Sequence, residues 1–447
     1  MKAVTRLGVS LVLLLSAALV STGCARPPST PTLPARVLLV GIDGADWELI
    51  RPLAEAGDLP AFRQLLAEGA TGDLRSLAGY NSPALWTTIA TGRLPADHGI
   101  PGWTIEDEQG NPQLVTSNMR RAPTLWEILG AAGLRSTVVG HLATWPATPI
   151  NGYLVTNYSP MAVARGEGDH AKTANPLKGT LWENVPAQVF PSSLLEEILP
   201  LRVGIADVGR EEVQHFIARF PSSPEPLEED LLHSLRFAHA ADRTYAGIFD
   251  HLLAKERTSF ATVYFGGVDA VSHRFWRFMD PSLQGASDIE RERYGKVIAH
   301  YYGFVDRYLR HLLRDLDSQT TLIVCSDHGF RAARKKDSRR NREYSGRHRL
   351  KGVLALYGRG VRQPASIDGA QLVDLAPTIL ALLGQPTARD MPGRALAQAL
   401  DPQILAHLPD PVATYEALAP TPADRAPLAS PIDEQMLDQL RSLGYVQ

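Results

Sequence analysis

The segment Arg36-Val-Leu-Leu-Val-Gly-Ile-Asp-Gly44 gives the clearest indication of the fold of this 447-residue chain. Its continuous apolar run is typical of a strand buried on both faces of a parallel sheet. The run ends at the carboxylate of Asp43, which is followed by a glycine that lets another group approach closely. Because ligands of open α/β sheets bind beyond the carboxyl ends of the strands, we expect the chemistry at this edge of the sheet.

Further runs of this kind predict the rest of the sheet. They lie at residues 136–140, 259–265, 321–325 and 352–357. Helical patterns separate them, at residues 60–68, 83–91, 123–132, 231–255 and 291–316. This alternation predicts an α/β fold, in which a doubly wound, mostly parallel sheet is flanked by helices. Cys325, at the end of one apolar run, is interpreted as a buried strand residue.

The domain organisation follows from where this alternation breaks. Residues 36–400 are predicted to form the main domain. The segment at about 159–230 contains scattered prolines and short helical patterns at 192–199 and 211–219, and we interpret it as an inserted cap that selects the substrate. Residues 401–447 form a proline-rich tail ending in a helix, which Ser430-Pro431 opens.

Composition excludes several classes of protein. The chain has 45 basic and 48 acidic residues and a net charge of −3, which argues against a basic protein that coats nucleic acid. Its two cysteines exclude a disulfide framework and a cysteine-built zinc site. Its 13 histidines direct any metal chemistry towards imidazole and carboxylate ligands.

The N-terminus carries a targeting signal. Lys2 and Arg6 precede an apolar run at residues 7–20 and the box Ser21-Thr-Gly-Cys24, which resembles the cleavage box of bacterial lipoproteins. Residues 1–23 are therefore predicted to be a signal peptide, Cys24 the lipidated residue, and residues 24–35 an extended tether. The prediction places the protein in the bacterial cell envelope, lipid-anchored to a membrane and facing the periplasm or the exterior. Plain secretion is the alternative.

Asp43, directly after the first strand, and Ser82, at the start of a later helix, are candidates for chemistry. Asp43 suits a cation ligand, although an aspartate here also commonly caps the next helix. Ser82, in Asn81-Ser82-Pro83, is predicted at the N-cap of a helix that runs to Thr91. Its oxygen would face free N–H groups and the positive end of the helix dipole, which favour an alkoxide and a bound phosphate. The same pattern is also the commonest purely structural N-cap.

Later strand ends carry further metal-ligand types. Asp269 and His273 are four residues apart, so a helix would place both on one face, a good bidentate metal geometry. Asp327 and His328 follow the strand that ends at Cys325, and His348 precedes the next strand. Each motif alone is weak, but their joint order beside strand ends indicates one metal centre.

Together these stretches resemble the alkaline phosphatase superfamily, in particular its type I phosphodiesterase/nucleotide pyrophosphatase family. The resemblance covers residues 36 to about 396. Its motifs are Gly-Ile-Asp43-Gly, Ser82-Pro, Thr91-Gly-Arg-Leu-Pro-Ala-Asp-His98-Gly-Ile100, Asp269-x3-His273, Ser326-Asp327-His328-Gly, Gly346-x-His348 and Asp374-Leu-Ala-Pro-Thr-Ile-Leu.

The resemblance implies hydrolysis of phosphate esters at a site of two divalent metal ions, usually zinc. Carried across residue by residue, one ion would be bound by Asp269, His273 and His348. The other would be bound by Asp43, Ser82, Asp327 and His328. Ser82 would attack phosphorus and form a phosphoseryl intermediate. The partner would be a phosphate-ester substrate, and we expect no specific nucleic-acid partner.

The chain departs from the family pattern at two positions. Ser82 stands where the family commonly has threonine, and serine serves the same role elsewhere in the superfamily. Pro101-Gly-Trp103 stands where nucleotide pyrophosphatases carry an asparagine that holds a phosphate oxygen. The second departure argues against nucleotide pyrophosphatase activity in particular.

Other activities remain as alternatives. They are phosphonate or sulfate ester hydrolysis, phosphoryl-headgroup transfer, and ligand binding by a surface lipoprotein without catalysis. Sulfatases require proline two positions and arginine four positions after the modified residue. Here Pro83 is one position and Trp86 four positions after Ser82, which argues against a sulfatase.

The remaining polar candidates have ordinary interpretations beside functional ones. A basic run joins His328 to His348 and is either a solvated loop or a funnel for anionic substrates. Its candidate substrate-binding residues are Arg334, Lys335, Lys336, Arg339 and Arg340. We interpret His98 and His141 as packing residues, and Asp46 and Glu48 as solvated acids in the first turn of a helix.

Overall fold

The computed structural model describes residues 34–158, 185–221, 226–283, 285–333, 345–419, 425–431 and 433–442. Its strands are β1 Arg36–Ile42, β2 Ala70–Arg75, β3 Thr104–Glu106, β4 Pro112–Leu114, β5 Ser136–Val139, β6 Gly152–Val155, β7 Val189–Phe190, β8 Phe260–Phe265, β9 Thr320–Cys325, β10 Gly329–Ala332, β11 Gly346–Arg349, β12 Lys351–Gly358 and β13 Ala365–Gln371. Its helices are α1 Trp47–Ala56, α2 Pro60–Glu68, α3 Ser82–Thr91, α4 Pro95–His98, α5 Leu125–Ala131, α6 Leu194–Ile198, α7 Arg210–Val213, α8 Pro226–Lys255, α9 Gly267–Met279, α10 Asp288–Tyr294, α11 Val297–Arg314, α12 Leu375–Leu382, α13 Pro402–Ala406 and α14 Asp433–Ser442.

One nine-stranded sheet organises the domain, in the order β13-β2-β12-β9-β1-β8-β5-β6-β7. Strands β9, β1, β8, β5 and β6 are parallel neighbours, whereas β12 and β7 run antiparallel to their neighbours. Every residue of β8 and β9 is buried, as a sheet covered by helices on both faces requires. The predicted α/β fold with a mostly parallel sheet is therefore confirmed.

The central strands end in register at one edge of the sheet. Gly41 of β1 lies beside Tyr264 of β8 and Cys325 of β9. The chain segments that follow these three strands therefore meet at the same edge, and they carry Asp43, Asp269 and Asp327.

Two predicted helices differ from those in the structure. The pattern at 291–316 forms two helices, α10 and α11, because the helix is interrupted at Gly295. The backbone of Gly295 packs closely here, since an added Cβ would lie 2.6 Å from the carbonyl oxygen of Arg291 and 3.1 Å from that of Phe278. The pattern at 211–219 forms only the short α7, after which Phe216 and Ile217 turn into the core. Tertiary packing therefore decides both helix ends.

Part of the predicted insertion extends the main sheet. Strand β7 pairs antiparallel with β6, and α6 follows it with Leu194 and Ile198 in the core. Residues 159–184 and 222–225 of the insertion lie outside the described residues.

The tail packs onto the domain through its last described helix. Ser430-Pro431 precedes α14, whose Met436, Leu437 and Leu440 form a small apolar cluster with Trp145 and Tyr158. In the described ranges, no helix has the length and apolar character to cross a membrane. The predicted signal peptide, Cys24 and most of the tether lie outside those ranges.

Candidate metal centre

Asp43 is held by two aromatic side chains immediately after β1. The hydroxyl of Tyr264 and the indole N–H of Trp86 donate to its Oδ2, at 2.7 and 3.1 Å. Its Oδ1 lies 3.2 Å from Nε2 of His328 and accepts from the hydroxyl of Ser82 at 3.3 Å. Gly44 has φ +71, and an added Cβ would collide with Phe330, so glycine is needed for the close approach here.

Ser82 is the first residue of α3 and not its N-cap, which corrects the sequence prediction. Asn81 occupies the N-cap position, and no side chain caps this helix end. The Ser82 hydroxyl is instead directed to Asp43, and its Oγ lies 3.5 Å from Nε2 of His328. Its side chain is 2 % exposed, so the hydroxyl belongs to the buried polar cluster.

Helix α9 presents Asp269 and His273 from one face, as their spacing predicts. The Nδ1 of His273 hydrogen-bonds the carbonyl oxygen of Gly346 at 3.1 Å, which leaves Nε2 directed to the cluster. Buried Asp242 of α8 anchors the start of this helix, because its carboxylate accepts from the backbone N–H groups of Gly266 and Gly267 at 3.0 and 3.1 Å. The hydroxyl of Tyr301 also donates to it, at 2.9 Å.

The hairpin of β10 and β11 brings His348 over the end of β9. Asp46 fixes this hairpin, because its carboxylate accepts from the N–H of Phe330 at 2.8 Å and from Arg349 at 2.7 Å. It also accepts from the N–H of Glu48 and thereby caps α1. The prediction of a solvated Asp46 is therefore wrong, because the residue is 0 % exposed. Glu48 is exposed, as predicted.

The predicted ligands converge on Asp269. Its Oδ1 lies 3.2 Å from Nε2 of His348, 3.5 Å from that of His273 and 3.8 Å from that of His328. The Nε2 atoms of His273 and His348 are 2.8 Å apart, and the rings of His328 and His348 stack at 3.6 Å. The potential ligand atoms form two groups, Asp269 with His328 and His348, and Asp43 with Asp327 and His328.

Burial sets the electrostatics of this cluster. Desolvation raises the pKa of Asp269 and of Asp327 well above the usual value, and the nearby charge of Asp43 raises both further. Burial opposes ionisation of Asp43 too, but its hydrogen bond and ion pair with His328 outweigh burial and lower its pKa. Burial and the neighbouring His328 lower the pKa values of His273 and His348, which keeps both imidazoles neutral.

These residues fit divalent cations. Both carboxylate oxygens of Asp269 are buried and accept no hydrogen bond from the described residues, a costly arrangement unless an ion is coordinated. Neutral imidazoles with buried carboxylates are a donor set that zinc prefers. The described residues therefore could hold metal in two adjoining groups that share His328.

A comparison with protein families decides the identity of the chain. Residues 37–361 match the model of the type I phosphodiesterase/nucleotide pyrophosphatase family. The chain belongs to this family. The resemblance inferred from the motifs is thereby confirmed, while no curated protein matches the chain.

The solved structures that are similar to this chain include those of three proteins with different names. The structure of a phosphonoacetate hydrolase from Sinorhizobium meliloti 1021 in complex with phosphonoformate matches with 19% sequence identity and a TM-score of 0.40. The match covers 68% of this chain, which thus spans only 58% of the length of that protein. Murine ectonucleotide pyrophosphatase/phosphodiesterase 5, as an inactive variant with AMP, has 12% identity and a TM-score of 0.46, covering 84% of this chain and 99% of its own. A 2-O GAG sulfatase, BT1596, has 12% identity and a TM-score of 0.48, covering 82% and 74%.

The other histidines considered in this phosphodiesterase-family chain lie outside both ligand groups. His98 is 0 % exposed, and burial lowers its pKa to about 3. Its ring nitrogens contact the hydroxyl of Thr88 at 3.1 Å and the N–H of Ile100 at 3.2 Å, so it has the predicted packing role. His141 packs edge-on against Trp86 and Trp126. Cys325 is buried in β9, as predicted.

Sequence reasoning missed the residues that hold the ligands in place. Trp86 and Tyr264 orient Asp43, and Asp242 anchors α9. The sequence carries only a weak signal for Trp86. It lies four residues after Ser82, so the predicted helix places both residues on the same face. The basic residues Arg334, Lys335, Lys336, Arg339 and Arg340 lie outside the described residues.

Proposed function

We propose that the protein is a metal-dependent hydrolase of phosphate esters, a phosphodiesterase or phosphomonoesterase that works through a phosphoseryl intermediate. The observation that carries this proposal is the position of the Ser82 hydroxyl, 3.3 Å from Oδ1 of Asp43 and 3.5 Å from Nε2 of His328. It stands at the start of a helix, where the dipole favours negative charge. Membership of the family supports the same reaction class.

The proposed ligands divide between two ions. Asp269, His273 and His348 would bind one ion, and Asp43, Ser82, Asp327 and His328 the other. When bound, the ions, which we propose to be zinc, would neutralise the buried carboxylates, favour the serine alkoxide and offset charge on the phosphate.

Side chains of the protein accept the proton of Ser82 and orient the nucleophile. The Ser82 hydroxyl donates to Oδ1 of Asp43, so its proton has an acceptor when Oγ bonds to phosphorus and the leaving oxygen departs. Trp86 and Tyr264 occupy Oδ2 of Asp43 and keep Oδ1 directed at the serine. Water then cleaves the phosphoserine and restores the hydroxyl. The first residues of α3 hold the nucleophile at the same point in both steps.

Substrate class is tested with matched chromogenic esters. We expect nitrophenol release from a nitrophenyl phosphodiester or monoester, and loss of that release after dialysis against chelator with recovery on adding Zn²⁺. A phosphonate ester and a sulfate ester complete the panel. Preference for the sulfate ester would replace the proposal with a sulfatase. Undiminished phosphate-ester hydrolysis in the metal-free protein would contradict the proposed metal dependence.

We also propose that the basic run between His328 and His348 attracts anionic substrates. Replacing Arg334, Lys335, Lys336, Arg339 and Arg340 by glutamine should raise KM several-fold at low salt, and the difference from wild type should shrink as salt screens the charges. The measurement is KM for an anionic diester across a salt series. A KM equal to that of wild type at low salt would make the run a solvated loop without this role.

The proposed location remains the bacterial cell envelope. Lipidation of Cys24 would anchor the chain to a membrane on the periplasmic or exterior side, with residues 24–35 as a tether. Mass spectrometry of the N-terminal peptide, with Cys24→Ser as the control, tests the acylation. A mature protein that begins at another residue would contradict it.

A further inference from the structure

A cavity of about 850 Å³ lies among α7, α8 and α11, and none of its lining residues belongs to the proposed metal centre. Its volume is within the range of pockets that hold small organic ligands. The two groups of described residues that could hold a metal are both at the metal centre, so this cavity is of a different kind.

One face of α11 forms a wall of the cavity. It contributes Lys296, His300, Gly303 and Arg307, whose spacing of four, three and four residues aligns them along the helix. Gly303 leaves room at the centre of this row, because an added Cβ would meet only the Arg307 guanidinium, at 3.7 Å. The row therefore presents cationic and imidazole groups around an open space.

The positive charges on this wall are only partly offset, because Asp58 also lines the cavity and Arg307 acts electrostatically on buried Asp306. Lys296 and Arg307 make no ion pair within the described part of the chain. The nearby carboxylate of Glu212 is already bound, because it contacts Nε2 of His239 at 2.7 Å and Arg243 at 2.8 Å. His300 contacts the carbonyl oxygen of Phe216 through Nδ1 at 2.9 Å, and among the described residues its Nε2 has no partner.

The inner part of the cavity combines apolar surface with one unsatisfied polar atom. Phe216 and Phe304 line it and pack edge-on against the ring of His239. That ring is buried, and its Nδ1 has no hydrogen-bond partner in the part of the chain that the structure describes. Because Nε2 of this ring donates to the carboxylate of Glu212, Nδ1 is an acceptor, so a water or a donor group of a ligand, and not the anionic group itself, would satisfy it.

We propose that this cavity is a second binding site, for a small organic anion. Its phosphoryl or carboxylate group would lie against Lys296, His300 and Arg307, and its apolar part against Phe216 and Phe304. Guanidinium and ammonium groups bind such anions through charge-assisted hydrogen bonds, and the aromatic walls add apolar contact.

Calorimetric titration of phenylphosphonate into the metal-loaded, full-length protein tests this site. This probe has an aromatic ring and a dianion but no ester bond. We expect a binding event in wild type that weakens at least tenfold in Lys296→Ala/Arg307→Ala. Arg310→Ala/Arg314→Ala is the matched control, because it removes two arginines of the same helix that do not line the cavity. The control should bind as wild type does.

A second variant tests the shape of the site without changing its charge. Gly303→Leu should fill the cavity and remove the same event, while thermal unfolding shows that the variant remains folded. Any event at the metal centre should survive in both cavity variants, which separates the two sites. The proposal is overturned if wild type shows no event with a Kd below about 1 mM, if both cavity variants bind as wild type does, or if the control loses binding equally.

Discussion

Replacing Ser82 by alanine should abolish ester hydrolysis while leaving the metal content of the protein nearly unchanged. The substitution removes the proposed nucleophile, and loss of a nucleophile lowers kcat by at least about 10³-fold. The carboxylate and imidazole ligands remain, since Asp43, Asp327 and His328 stay grouped without the serine. Steady-state kinetics on the best ester of the panel, with elemental analysis of the same preparation, measures both quantities.

A matched control separates chemistry from packing. Ser272→Ala makes the same change at a fully buried serine of α9, whose hydroxyl has no hydrogen-bond partner. We expect its kcat to stay within about twofold of wild type, because buried groups that make no interaction contribute little when removed. In wild type, rapid acid quench during turnover should trap phosphate on Ser82. Full activity of the alanine variant would remove Ser82 from the mechanism.

The central sheet was predictable because its strands are continuously apolar. The strands β1, β8 and β9 are buried on both faces, and such runs stand out in the sequence. Strands β2 and β13 were missed, since polar and glycine residues such as Gly72, Asp73 and Gly369 interrupt them. These two strands depend on pairing with β12 and with each other rather than on a local pattern.

The convergence of the candidate ligands was predictable for a related reason, and the residues that orient them were not. Ligands beside strand ends share one edge of the sheet, so their convergence follows from topology. Asp46 was interpreted as a solvated acid in the first turn of a helix, yet its carboxylate accepts from the N–H of Phe330, 284 positions later in the chain. Nothing near Asp46 in the sequence encodes that contact. Similarly, Trp86 and Tyr264 donate to Asp43 from two other elements, α3 and β8, 43 and 221 positions away in the chain.

Replacing Asp269 by asparagine should have opposite effects on function and on metal-free stability. The variant should lose more than about 100-fold in metal affinity and activity, because Oδ1 of Asp269 is within 3.8 Å of all three imidazole Nε2 atoms. Without metal, however, burial of the ionised carboxylate lowers the free energy of unfolding. Burial raises its pKa, so the metal-free protein loses stability as the pH rises above the ordinary range of a carboxyl group. The neutral amide removes that loss.

Asp242→Asn is the matched control, since Asp242 of α8 is also buried and its carboxylate contacts the start of α9, the helix that carries Asp269. Its carboxylate accepts three hydrogen bonds, from Gly266, Gly267 and Tyr301. Burial raises the pKa of Asp242 to about 7, so at about pH 8 the group is mainly a carboxylate. An amide would turn a donor towards one of these donors, so at that pH this variant should lose about 1–3 kcal/mol of metal-free stability. Chemical denaturation of both variants in chelator, between pH 5 and about pH 8, measures the difference. If Asp269→Asn destabilised the metal-free protein as much as Asp242→Asn does, the carboxylate of Asp269 would support the fold, and its assignment as a metal ligand would lose its electrostatic basis.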